Sequence, residues 1–155
     1  MKKFLKGFVF AARGIAHAAA TERNFRFHLC AAAFVVYFAA RFYELSRGEW
    51  AVLLLTFAAV MSAEMFNTAL ERLADKASPE KNELTKHSKD CAAGAVLVSA
   101  VFAVGVGIAL FWDTERFAAI LAHFTGGWQR PVLLLIAVAA SVCAVFLPEE
   151  RRRNN

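Results

Sequence analysis

The sequence predicts an all-α, polytopic membrane protein: an N-terminal amphipathic surface helix, three core transmembrane helices and a fourth span near the C-terminus. Three observations carry that prediction. Of the 155 residues, 59% are hydrophobic and 15 are Phe, with a mean hydropathy of +0.45. The apolar residues gather in runs approaching the roughly 20 residues that a membrane helix needs. The basic residues stand beside those runs, as membrane topology demands. The net charge of +5 is therefore topological and does not point to nucleic acid. Length suits one folding unit, which we divide into a core at 1–112 and an extension at 113–155. Lys6 and Arg13 interrupt the first apolar residues, so no cleavable signal is expected. Cys30, Cys91 and Cys143 lie far apart with no metal spacing and read as inert buried thiols.

Residues 1–20 form the surface helix. Phe4, Phe8, Ala12, Ile15 and Ala19 follow helical spacing along one side, with Lys2, Lys6 and Arg13 on another. That pattern lies on an anionic membrane surface and is too charged to span. The polar cluster Thr21-Glu22-Arg23-Asn24-Phe25-Arg26-Phe27-His28 follows. It reads equally as a helix cap at Thr21 with snorkelling arginines, or as a metal ligand, Glu22, with arginines for phosphate or head groups.

The first span runs from about Phe27 to Leu45, with Tyr37, Arg41, Phe42 and Tyr43 in an interfacial belt. The short link from Glu44 to Glu49, with Gly48 as its turn residue, implies an antiparallel hairpin. Trp50 opens the second span, to about Leu70. At about 100° per residue, Glu64, Asn67, Glu71 and Asp75 fall on one face of this helix. Glu64 stands roughly 21 Å beyond Trp50 at 1.5 Å per residue, close to the far interface of a ~30 Å core. The stripe thus runs from the lipid polar boundary outward into water. Acids in a membrane helix are costly unless they face protein, water or a metal, so the stripe is the candidate site.

Residues 72–88 read as a polar loop, with a turn at Ser78-Pro79-Glu80. Lys89-Asp90 opens the third span, Cys91 to Trp112, where Ala92, Ala93, Gly94 and Ala95 permit close packing. Phe117, Ile120, Leu121 and Phe124 mark a short interfacial helix, broken at Gly126-Gly127. Pro131 to Leu147 is the fourth span, followed by a basic tail with Arg151, Arg152 and Arg153. Of the 18 Lys and Arg residues, 14 fall on the side of the N-terminus, the 72–89 segment and the tail. The other side holds Arg41, Arg47, Arg116 and Arg130. The positive-inside rule places the larger group, and the open end of the acidic stripe, in the cytoplasm.

No phosphate-binding Gly-rich loop, dinucleotide fingerprint, catalytic Ser-His-Asp pattern or zinc motif is present. Metal-assisted transfer stays open, since the stripe supplies the oxygen ligands that Mg²⁺ prefers. A lysine at the same interface and a carboxylate at lipid depth would complete a phosphoryl-transfer site with its acceptor in the bilayer. A proton- or cation-conducting subunit uses similar residues, and a structural polar seam is a third reading.

The combination Ala63-Glu64-x-x-Asn67-x-Ala69-x-Glu71, then Asp75, Glu80 and Lys89-Asp90-x-x-Ala93, resembles the prokaryotic diacylglycerol kinase family. Thr21-Glu22-Arg23-Asn24-x-Arg26-x-His28 is similar to its Gram-positive-type branch, which includes undecaprenol kinases. The resemblance covers about residues 1–112. It implies a homotrimeric kinase of the bacterial plasma membrane, with sites between subunits at the cytoplasmic face. ATP and Mg²⁺ would be needed, and the acceptor would be the hydroxyl of undecaprenol or diacylglycerol. Position by position, it implies that Glu64 is the general base and that Glu22 and Glu71 are ligands of the metal bound with ATP. Lys89 and Asp90 match the pair at the ATP phosphates; Glu80, Lys81 and Asn82 fall where the central loop meets the nucleotide. Asn67 and Asp75 match supporting polar residues, and Asn24, Phe25, Arg26, Phe27 and His28 a stretch in contact with lipid. The chain departs from the family at Ala18-Ala19-Ala20, where aromatics are common.

Overall fold

The computed structural model describes residues 2–78, 80 and 82–146. Pro79, Lys81 and the tail from Leu147, with Arg151, Arg152 and Arg153, lie outside the described residues, as do the side chains of Lys2 and Lys3. Among the described residues there are six helices and no strand: α1 (Lys2–Thr21), α2 (Arg23–Phe42), α3 (Arg47–Ala77), α4 (Glu83–Phe111), α5 (Thr114–Thr125) and α6 (Gln129–Val145). Three of them, α2, α3 and α4, are long and apolar enough to cross a membrane.

The α3–α4 hairpin is the main packing unit, and α2 lies against α3. Leu53, Val60 and Glu64 form the buried line of α3, while Phe25, Ala39 and Phe42 are buried on α2. The apolar side of α1 stays uncovered, with Phe4, Phe8 and Ile15 exposed, which suits a helix resting on a lipid surface.

Several element boundaries differ from the sequence expectation, each for a local reason. Thr21 does not cap α2. It ends α1, and Glu22 alone joins α1 to α2 with an extended backbone (φ −104°, ψ 115°) and no side-chain cap. The Thr21 hydroxyl instead turns toward the His17 carbonyl (3.0 Å) and Glu22 Oε1 (2.9 Å). Gly48 is not a turn residue, because α3 begins at Arg47. Ser46 and Glu49 form a reciprocal capping box there, Ser46 N–H donating to Glu49 Oε2 at 2.7 Å and Glu49 N–H to Ser46 Oγ at 3.3 Å.

The largest correction concerns 72–88. Most of that polar stretch is helical: α3 runs on to Ala77 and α4 starts at Glu83. Its Arg, Leu, Ala, Lys and Glu residues are good helix formers, so the charged sequence continues the helices into water. At 31 residues, α3 is about 46 Å long, well beyond the ~30 Å apolar core. The turn between the helices is closed by Asn82, whose Oδ1 accepts from Thr85 N–H at 2.8 Å. Its Nδ2 donates to Ser78 Oγ at 2.9 Å.

After α4, Asp113 caps α5 through bonds from the N–H groups of Glu115 and Arg116 (2.9 and 3.0 Å). The break at Gly126-Gly127 is where expected, and α5 and α6 meet at 101°. The expected fourth span is therefore one arm of a bent pair, with only 17 residues of its own. It runs antiparallel along α2. At one end Arg26 bonds Val145; near the other, Phe38 and Phe42 meet Phe124, at the end of α5, in tilted ring contacts. The thiols are free but not buried as expected: Cys30 is half-buried, and Cys91 and Cys143 are exposed on apolar helices.

Candidate functional site

The site lies where α3 leaves the apolar layer, between the start of α2 and the start of α4. Helical spacing alone puts Glu64, Asn67, Glu71 and Asp75 on one face of α3. The fold decides what each meets. Glu64 is buried, 3% exposed, with His28 of α2 beside it: His28 Nε2 stands 3.4 Å from Glu64 Oε1. A buried carboxylate left alone costs several kcal/mol if ionised, so the imidazole is the group that makes Glu64 tolerable there. Glu22 and Glu71 are near enough to act electrostatically on Glu64.

One turn outward, Asn67 Nδ2 donates to Glu71 Oε1 at 3.1 Å. The other end of that amide, Oδ1, is buried and has no hydrogen-bond partner among the described residues. An orphaned acceptor of this kind costs about 1–3 kcal/mol. Glu22, at the α1–α2 elbow, is held from α3 by Arg72, whose Nη2 lies 2.7 Å from Glu22 Oε1 and 2.9 Å from Thr21 Oγ1. Arg72 Nη1 also meets His17 Nε2. Across the hairpin, Lys89 Nζ donates to Asp75 Oδ1 at 2.8 Å. Asp90 follows, exposed.

Seven of the expected site residues, Glu22, His28, Glu64, Asn67, Glu71, Asp75 and Lys89, thus converge at one end of the bundle. Glu80 and Asn82 do not join them. They sit in the hairpin turn, which begins seven residues past Glu71, about 10 Å farther along the axis. Asn82 serves as the α4 cap. Lys81 lies outside the described residues. Within the stretch implied to meet lipid, Asn24 and Phe27 are exposed, but Phe25 is 2% exposed inside the bundle. Arg26 is directed at main-chain carbonyls of α1 and α6.

Sequence reasoning missed His17 and Arg72 and did not pair His28 with Glu64. Arg72 carried a faint signal, as a cation directly after Glu71 of the acidic stripe. His17 carried none, since its role depends on α1 folding back over α3.

Among the described residues, no three His, Cys, Asp or Glu side chains converge to hold a metal alone. Mg²⁺ needs only one or two protein carboxylates and completes its shell with water and substrate phosphates. Glu22, Glu71 and the unpartnered Asn67 Oδ1 are the hard oxygen donors that fit it. Beyond His28, an apolar groove of about 560 Å³ opens between α2, α3 and α4, past Leu53, Phe57 and Val104 to Trp112.

The chain matches the family model described as prokaryotic diacylglycerol kinase over residues 9–111. It is 42% identical over 111 residues to the undecaprenol kinase of Bacillus subtilis (strain 168), covering 72% of this chain and 89% of that one. It is 45% identical over 104 residues to a diacylglycerol kinase of Synechocystis, covering 66% of this chain and 59% of that longer relative. No solved structure matches the chain significantly.

Proposed function

The chain belongs to the prokaryotic diacylglycerol kinase family, a family of membrane lipid kinases, and from that premise we propose an ATP- and Mg²⁺-dependent transfer of phosphate to a lipid alcohol. The observation that carries the reading is the position of Glu64: a buried carboxylate beside His28, which itself lines an apolar groove, with Asn67, Glu71, Asp75 and Lys89 following outward from it. The acceptor is undecaprenol or diacylglycerol, both long apolar bodies with a primary hydroxyl. The groove would take the apolar body and leave the hydroxyl at Glu64.

In this reading Glu64 removes the hydroxyl proton as the lipid oxygen attacks the γ-phosphorus of ATP. The bond from that phosphorus to the β–γ bridging oxygen breaks, and ADP leaves. His28 orients the Glu64 carboxylate from α2. Lys89 approaches the phosphates as a point charge once released from Asp75. Bound Mg²⁺ would offset phosphate charge, held by Glu22 and Glu71 with Asn67 beside them. The 14 Lys and Arg residues on the N-terminal side support a cytoplasmic face for this site. The assembly we assign is a homotrimer, on the ground of family membership. Family membership displaces the ion-conducting reading of the stripe.

The test is transfer from γ-labelled ATP in detergent micelles, with undecaprenol and diacylglycerol offered separately, with and without Mg²⁺. Labelled lipid that needs Mg²⁺ supports the reading and names the acceptor. Absence of transfer to either lipid, from folded protein, overturns it.

A further inference from the structure

The extension after α4 lies outside the region shared with the family model, which ends at residue 111. The end of α6 nonetheless reaches the side of the bundle that carries the site. The last turn of a helix presents carbonyls without intrahelical partners, at the negative end of the helix dipole. Two such ends, those of α1 and α6, converge on Arg26. Its Nη1 donates to Ala20 O at 3.1 Å and Ala19 O at 3.4 Å, while Nη2 and Nε donate to Val145 O at 3.0 and 3.3 Å. A planar guanidinium can serve two acceptors on opposite sides at fixed angles; an ammonium cannot. Beside it, the Arg23 guanidinium lies 5.8 Å over the Phe146 ring, a second tie to the end of α6.

The joint that Arg26 fixes is the α1–α2 elbow, and the single residue of that elbow is Glu22. The Arg26 guanidinium therefore braces the last turn of α1 directly before that elbow, while Arg72 holds the Glu22 carboxylate.

We infer that α5–α6 is a positioning element for the nucleotide side of the site, acting through Arg26, which couples the docked end of α6 to the elbow that carries Glu22. This rests on the reading of Glu22 as a ligand of Mg-ATP. It makes Arg26 a positioning residue and not a lipid contact.

The experiment is steady-state kinetics of the full chain in micelles, varying Mg-ATP and lipid independently, for Glu22→Gln, Arg26→Gln, Arg26→Lys and Phe146→Ala. Arg26→Gln is expected to raise KM for Mg-ATP about tenfold, the scale of losing a group that orients a ligand. The lipid KM should stay within about twofold of wild type. Arg26→Lys should recover part of the loss, because one point charge still meets one helix end. Phe146→Ala should raise the Mg-ATP KM in the same direction by a smaller factor. Phe146 is 65% exposed, so this variant decides the matter if Arg26→Gln does not fold. An increase in lipid KM on Arg26→Gln, with Mg-ATP KM unchanged, overturns the proposal, as does a Phe146→Ala enzyme with wild-type Mg-ATP KM. An unchanged Mg-ATP KM in Glu22→Gln removes the Glu22 assignment itself. A raised value there, with Arg26→Gln silent, removes the coupling alone.

Discussion

His28 Nε2 stands 3.4 Å from Glu64 Oε1, joining α2 to α3 where α3 passes from apolar surroundings to water. The contact makes a carboxylate at lipid depth compatible with a folded bundle and ties it to a residue that lines the apolar groove. If Glu64 is the base, Glu64→Gln keeps the shape and removes the proton acceptor. A fall in kcat of about 10²–10⁴-fold is expected, the usual contribution of a general base, with ATP affinity little changed. Wild-type turnover in this variant would rule out the assignment. His28→Ala should lower kcat by a smaller factor and spare the Mg-ATP KM, because imidazole orients the base and does not meet phosphate.

Asn67 separates stability from function. Its Oδ1 is buried without a partner among the described residues, so replacing the amide removes a cost of about 1–3 kcal/mol. That gain is set against the lost bond to Glu71. Asn67→Leu is therefore expected to melt at or above the wild-type temperature in detergent while its KM for Mg-ATP rises. A clear drop in Tm with unaltered kinetics would make Asn67 structural only.

Glu71→Gln should weaken Mg-ATP and move the Mg²⁺ requirement to higher concentration, since an amide oxygen is a poorer ligand for a hard cation than a carboxylate. Titrating Mg²⁺ at fixed ATP reads this directly. Superimposable wild-type and variant curves would take Glu71 out of the ligand set.

Lys89 and Asp75 form a pair at 2.8 Å in which Asp75 is largely exposed. Exposed pairs contribute little to stability, so Lys89→Ala should leave Tm nearly unchanged while raising the KM for ATP. Asp75→Asn frees the lysine and should do much less harm than Lys89→Ala. Equal damage from both would mean that the pair matters as a pair and not through the lysine.

Orientation is tested by labelling. In a chain freed of its native cysteines, Glu44→Cys and Lys76→Cys place exposed thiols near opposite ends of the α3 span. An impermeant maleimide should reach the first in intact cells and the second only after permeabilisation. The reverse pattern inverts the topology.

The all-helical class, the three long apolar helices and the acidic face of α3 were legible in the sequence because each depends on neighbours three to fourteen residues apart. Helical periodicity alone aligns Glu64, Asn67 and Glu71, and a long apolar run alone marks a span. The tertiary structure decided everything carried by long separations. It extended α3 and α4 through the charged 72–88 stretch, because the two helices support each other beyond the membrane. It brought His28 to Glu64, Arg72 to Glu22 and Val145 to Arg26, the last across 119 residues. It also turned Phe25 inward. Arg26 shows the reason most plainly. A guanidinium beside an apolar run fits snorkelling, head-group binding or a helix cap equally well, and only the arrival of two helix ends at 3 Å-scale distances selects among them.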